Sequence, residues 1–480
     1  MRKKLLSGVF LFLLLNILIK PFWILGIDVG VQNRVGASEY GLYFSLLSFA
    51  YLFNILLDFG VTNFNNRNIA QYNHLLSKHL PAILNIKLIL FVFFLAVTFG
   101  VGLLIGYDSR QFYLLAWMCL NQFLNSLILY LRSNFSGLLM FKLDSFLSVM
   151  DKILMVIFCS ILLWGNVPGV EFRIEHFVYS QTLAYGITAF TALAILAHKT
   201  GLRRLKWNAP LSLMIIKKSL PFALLALLMS CYNRLDPIML ERILPEDCGS
   251  FQAGIYASAF RLLDALVMLA YLVSVPLLPV YSKMLKEKQD ISQITKLIFS
   301  LVFTASSTIA ITFSFMSTDL MALFYDDHVA ESAGVFRILI FCLVPISMSY
   351  VFGTLLTANG DLKKLNIVAG GSLLLNLLTN TVLIPELMSE GSAMAALSTQ
   401  IFSAMVQVIL AIRIFKLRIS PKFLIQIAAF LTTVIAANLI TIQLQITWWI
   451  GILIVGAVSA SVAFLFKLLD FNELISVFKE

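Results

Sequence analysis

Five charged residues stand inside long apolar stretches of this 480-residue chain, where a charge needs a reason. Arg234 and Asp236 occur in Asn233-Arg234-Leu235-Asp236-Pro237, Arg261 and Asp264 in Phe260-Arg261-Leu262-Leu263-Asp264, and Lys20 sits beside Pro21. A side-chain charge placed in hydrocarbon costs at least about 2.5–3.5 kcal/mol, so such a residue faces a cavity or a partner. Guanidinium groups grip phosphate oxygens bidentately and a lysine adds a compact charge; Lys20, Arg234 and Arg261 together suit a pyrophosphate or an acidic sugar. Asp236 and Asp264 fit two roles. They are the buried carboxylates through which a Na⁺ or H⁺ gradient would act, or they are ion-pair partners that lock helices. Arg261 and Asp264 are three apart and share a helix face, and Arg234 has Asp236 or Glu241 in range. Pro237 is expected to open its helix locally and free backbone groups for a polar cavity.

These residues must be held by membrane-spanning helices. Sixty per cent of the chain is hydrophobic, and apolar segments near span length succeed one another from end to end. In lipid every backbone N–H and C=O must be satisfied within the segment, which selects helices. The expected spans, about fourteen, are 5–25, 40–61, 79–105, 112–131, 144–164, 176–197, 220–240, 255–281, 294–316, 335–356, 365–385, 392–415, 425–442 and 448–468. The fold class is therefore an all-α polytopic membrane protein. Lys and Arg fall mainly in every second loop, beginning with Arg2, Lys3 and Lys4, whereas the opposite loops carry only Arg34, Arg110, Arg173, Arg242 and Arg337. That asymmetry places both termini in the cytoplasm.

The net charge of +10 is spread thinly over these short loops and fits orientation and anionic headgroups better than nucleic acid. The basic start resembles a signal peptide but lacks a small-residue cleavage site, so it reads as an uncleaved first span. The five cysteines have neither metal-ligand spacing nor an obvious partner. No connection exceeds about 20 residues, leaving no soluble catalytic domain. The sequence has no Gly-rich phosphate loop followed by Lys, no His pair at metal spacing and no nucleophile elbow, so no catalytic residue, metal or cofactor is expected. Nearer the cytoplasmic face, Asp58 and Arg67 are candidates for a gate pair or for helix-end capping. Lys87 and Lys152 are expected to snorkel toward that face. Arg34 and Arg337 are candidates for steering an acidic headgroup on the other side.

Gly41-Leu42-Tyr43 opens the second expected span, and Gly254-Ile255-Tyr256 opens the eighth, 213 residues later. The same ordinal and the same membrane side indicate an internal repeat with parallel topology, with two lobes flanking a central cavity that suits alternating access.

Several motifs together carry a family resemblance over nearly the whole chain. They are the segment 34–43 (RVGASEYGLY), Leu57-Asp58-Phe59-Gly60-Val61 and Arg67-Asn68-Ile69-Ala70, then Ser219-Leu220-Pro221-Phe222, Pro276-Leu277-Leu278-Pro279, and Leu383-Ile384-Pro385 before Gly391-Ser392-Ala393. The chain resembles the polysaccharide transporters, the Wzx-type flippases, whose superfamily also holds multidrug extruders and lipid II flippases. Ser392 departs from the small Gly-Ala-Ala stretch usual there. The resemblance implies two six-helix lobes around a central cavity plus two C-terminal helices, expected as 1–200, 201–418 and 419–480. It implies movement of undecaprenyl-diphosphate-linked oligosaccharide from the cytoplasmic to the outer leaflet of a bacterial inner membrane, for O-antigen, capsule or exopolysaccharide. Lys20, Arg234 and Arg261 would then bind the headgroup. A polysaccharide polymerase and chain-length machinery would be partners, and antiport against Na⁺ or H⁺ would supply energy. The alternatives are a cation-coupled drug or metabolite extruder, for which acidic and aromatic lining is expected, and an integral membrane polymerase or acyltransferase.

Overall fold

The computed structural model describes residues 15–469 apart from 17, 63–64, 66–68, 70–75, 139, 166–171, 201–208, 275–276 and 418–419. Ten helices among the described residues are long and apolar enough to cross a membrane, and no strand occurs among those residues. The chain is a multi-pass, all-helical membrane protein. By packing it divides at Gly254 into two units.

The first unit holds α1 (Val29–Val35), α2 (Ala37–Leu52), α3 (Leu76–Ile105), α4 (Ser109–Gly137), α5 (Phe141–Trp164), α6 (Ile174–Thr200) and α7 (Ala209–Ile243), with the opening turns of α8 (Glu246–Ser274). Tyr130, Leu131 and Phe135 of α4 meet Leu80, Ile83 and Leu90 of α3, Leu147 of α5 and Leu196 of α6 in one buried cluster. At the start of α4, Asp108 accepts from the backbone N–H of Gln111 at 2.6 Å while the Gln111 side chain accepts from the N–H of Asp108 at 3.0 Å. This capping box satisfies amides that the helix itself leaves unpaired.

The second unit contains the rest of α8, then α9 (Leu277–Lys286), α10 (Ser292–Phe315), α11 (Ser317–Phe324), α12 (Val329–Leu339), α13 (Leu343–Ala358), α14 (Leu362–Phe415), α15 (Pro421–Gln443) and α16 (Trp448–Leu465). Helix α14 runs 54 residues but bends at Met388, whose φ of 50° and ψ of −127° are not helical. Pro385 just before the bend cannot donate to the helical ladder. The two arms match the separate spans expected at 365–385 and 392–415. The last two helices pack through Phe430, Val434 and Val455 against Ile311 of α10.

Two expectations need correction. The second span does not run to residue 61: α2 ends at Leu52, a 3₁₀ turn covers Asn54–Leu57, and the chain reverses through Phe59 (φ 44°) and Gly60 (φ 78°). The apolar pattern continues across this break, but Asp58-Phe59-Gly60 supplies a carboxylate and a left-handed turn that end the helix. Pro237 does not open α7, which continues through it to Ile243; one missing N–H is a local loss that the neighbouring helical bonds tolerate.

A close crossing joins α2 to the opening turns of α8 inside the first unit. A Cβ placed on Gly41 would overlap the Ser250 carbonyl oxygen, and one on Gly254 would overlap the Ala37 carbonyl oxygen. Only glycine at both positions permits this backbone contact. The offset relating Gly41 to Gly254 also relates Ala37 to Ser250, so the repeat seen in sequence becomes a reciprocal contact in space. Next to it the Gln32 side chain donates to the Gly254 carbonyl at 2.9 Å, and Tyr40 donates to Asp28 at 2.8 Å.

Candidate functional site

The first unit gathers a basic and aromatic cluster from five segments. Lys152 on α5 donates to the Tyr185 hydroxyl of α6 at 3.2 Å and lies 3.2 Å from the Asp151 carboxylate. Its ammonium group also sits 5.5 Å from the Trp23 ring centre and 5.1 Å from that of Tyr185. Lys20 stands close enough to Lys152, Asp151 and Arg132 for their charges to act on it. The Arg234 guanidinium of α7 lies 5.1 Å from the ring of Tyr51 on α2, and Tyr51 in turn interacts with Lys152. Aromatic faces hold cations by about 0.5–2 kcal/mol each while leaving their N–H groups available to an anion.

Lys20 and Arg234, singled out from sequence, therefore belong to one neighbourhood. Lys152, expected to snorkel, instead lies at its centre, because two aromatic rings and an adjacent carboxylate offer it a better place than the headgroup layer. Its signal was present in sequence only as an Asp-Lys pair within an apolar run. Asp236 is buried, with 2% exposure, on the same helix as Arg234. Arg261 and Asp264 are half-buried on the part of α8 that belongs to the second unit. Arg67 lies outside the described residues.

Asp58 pairs with a lysine of α3. The Lys87 ammonium reaches it at 2.5 Å and also donates to the Leu57 carbonyl at 2.9 Å and the Ser126 hydroxyl at 2.8 Å. Thr62 donates to the same carboxylate. Lys87 is 1% exposed and does not snorkel. Two of its bonds take up the Leu57 carbonyl and the Asp58 carboxylate in the break that follows α2, and the third ties that break to Ser126 of α4. Beside this pair opens a cavity of about 510 Å³ lined by Asn54, Asp58, Asn125, Arg132, Asp144 and Ser230, among others. Arg132 donates to Asp144 across it at 2.8 Å.

At the other end of these helices, Glu241 of α7 accepts from Ser45 at 2.7 Å and from Gln111 at 2.6 Å, and lies 3.5 Å from Arg242. These neighbours occupy the carboxylate that sequence had offered to Arg234. Arg110 is bidentate to Glu39, at 2.9 and 2.6 Å, and also reaches Glu175 at 3.3 Å. Arg110 and Glu39 are exposed and Glu175 is half-buried. Arg110→Ala is expected to lower stability by no more than about 1 kcal/mol, read as a small shift in the melting temperature of the purified protein. A larger loss would show that these charges are less hydrated than their exposure indicates.

Among the described residues no group of three or more His, Cys, Asp and Glu side chains could hold a metal ion. The fold resembles that of several solved membrane proteins. A lipid II flippase, MurJ, in an inward closed conformation superposes with a TM-score of 0.71 at 13% identity, over 96% of this chain and 100% of that one. An inward-facing multidrug resistance MATE family transporter of the MOP superfamily gives 0.66 at 14% identity, over 82% and 94%. A mutant of the Vibrio cholerae MATE transporter VcmN gives 0.60 at 16% identity, over 86% and 97%. No curated protein matches by sequence. The family model described as polysaccharide biosynthesis protein matches residues 5–285, more than half of the chain, and the chain belongs to that family.

Proposed function

We propose that this protein carries a polyprenyl-diphosphate-linked oligosaccharide across the bacterial inner membrane, from the cytoplasmic to the outer leaflet, by alternating access. The observation that carries this reading is the cluster of Lys20, Lys152 and Arg234, three cations brought together inside a membrane-spanning unit. Three converging positive charges in a low-dielectric site suit the diphosphate that joins lipid to sugar. The lipid tail stays in the bilayer while the headgroup passes. Membership of a polysaccharide biosynthesis family supports a saccharide cargo, and the flippase named above, which shares the fold, is a precedent for lipid-linked substrates.

In this reading Arg261 also binds the headgroup, and Asp236 or Asp264 couples transport to a Na⁺ or H⁺ gradient. Arg34 and Arg337 steer the headgroup on the outer side. The O-antigen, capsule or exopolysaccharide machinery, including its polymerase, stands downstream. A cationic-drug extruder would need a predominantly acidic lining, and the basic cluster opposes it.

Binding tests the cation assignment. Arg234→Ala and Lys152→Ala are each expected to weaken polyprenyl-diphosphate saccharide binding to the purified protein about tenfold or more, the loss of one charge-assisted contact. Unchanged affinity in both variants would remove the cluster from headgroup recognition.

A further inference from the structure

The 510 Å³ cavity beside Asp58 falls within the size range of ordinary ligand sites, and its chemistry differs from that of the basic cluster. Its charges are already matched. Asp58 is held by Lys87 at 2.5 Å and Asp144 by Arg132 at 2.8 Å, so neither carboxylate asks for a cation and the lining presents no surplus positive charge. What the cavity offers instead is neutral. The side chains of Asn54, Asn125, Ser136 and Ser230 line it and make no hydrogen bond with any described residue. Two amides and two hydroxyls supply donors and acceptors in both senses, while Ile55, Leu129 and Ala226 provide apolar wall between them. Alternating polar edge and apolar face is the surface of a pyranose ring.

Position ties this cavity to the cluster. Ser230 lies one helical turn from Arg234 on α7, so both face the same way. Asn54 follows Tyr51, the ring beneath Arg234, by three residues. Arg132 lines the cavity and also acts electrostatically on Lys20. One helical turn is about 5.4 Å, a fitting step from a phosphate to the sugar bonded to it.

We propose that the cavity lined by Asn54, Asn125, Ser136 and Ser230 is a saccharide subsite that takes an uncharged sugar, the one attached directly to the diphosphate. The proposal rests on the headgroup reading above and adds a substrate class to it: a neutral, hydroxyl-rich or N-acetylated first sugar. A uronic acid would place a carboxylate beside Asp58 and Asp144, whose cations are already engaged.

The test compares three probes on the purified full chain in nanodiscs: polyprenyl diphosphate without sugar, the same lipid bearing one N-acetylhexosamine, and the same lipid bearing one uronic acid. The wild type is expected to bind the N-acetylhexosamine lipid about tenfold more tightly than the sugar-free lipid, the gain of two neutral hydrogen bonds. The uronic acid lipid should show no such gain. Asn54→Leu with Asn125→Leu is expected to abolish the gain while leaving sugar-free affinity unchanged, which also certifies the fold. Ser136→Trp, which fills the cavity from α4, should do the same. Equal wild-type affinity for all three probes, a stronger gain for the uronic acid, or a gain that survives both variants would overturn the proposal. Arg234→Ala separates the two ideas, because it should weaken sugar-free and sugar-bearing lipids by the same factor. If it weakens neither, the diphosphate assignment fails while the sugar preference still stands or falls by the cavity variants.

Discussion

Replacing Lys87 by methionine is expected to destabilise the protein by about 2–3 kcal/mol, the cost of leaving its acceptors unpaired beside a half-buried carboxylate. Lys87 is 1% exposed and gives its three donors to the Asp58 carboxylate, the Leu57 carbonyl and the Ser126 hydroxyl. Methionine matches its length and leaves all three acceptors facing a thioether. Among the described residues Asp58 keeps its contacts with Thr62, and the Leu57 carbonyl keeps a longer bond from Ser126 at 3.3 Å. Asp58→Asn in the same background should recover a large part of the loss, because the uncompensated charge disappears with it. The melting temperature of the four proteins in one detergent reads the cycle. A Lys87→Met protein as stable as the wild type would mean that the break after α2 does not depend on this pair.

Leucine in place of Gly41 or Gly254 is expected to cost at least about 1–3 kcal/mol and to reduce transport sharply, since overpacking forces backbone to move. The obstruction in each case is a carbonyl oxygen of the facing chain, Ser250 for Gly41 and Ala37 for Gly254, and backbone cannot swing aside as a side chain can. Once one leucine has separated α2 from the start of α8, the second meets a gap already opened. The double variant should therefore cost clearly less than the two single effects combined. Additive losses would show that the two glycines act at independent places.

Much of the fold was legible because long apolar runs admit only helices in lipid. The run expected at 112–131 became α4 (Ser109–Gly137), and 425–442 became α15 (Pro421–Gln443), each extended by cap residues that hydropathy ignores. Gly41 and Gly254 were legible as a repeat, though not as reciprocal contacts. Illegible was anything that depends on one helix meeting another. Lys87 is 29 residues from Asp58, and no local rule announces that a lysine within an apolar run will satisfy the end of a preceding helix. Lys152 looked like an interfacial lysine because Trp23, Tyr51 and Tyr185, which hold it, are scattered across three other segments. Lys20 and Arg234 were recognisable because a cation in an apolar run is costly wherever its neighbours lie. Composition exposes that cost, and packing alone reveals how it is met.

The most direct measurement is translocation of a fluorescent polyprenyl-diphosphate oligosaccharide in proteoliposomes, scored by protection of the label from an external quencher. Wild-type protein is expected to accelerate crossing well above protein-free vesicles, while Arg234→Ala and Lys152→Ala, folded and reconstituted to the same density, fall to near that background. Translocation by both variants at the wild-type rate, or none by the wild type itself, would contradict the account.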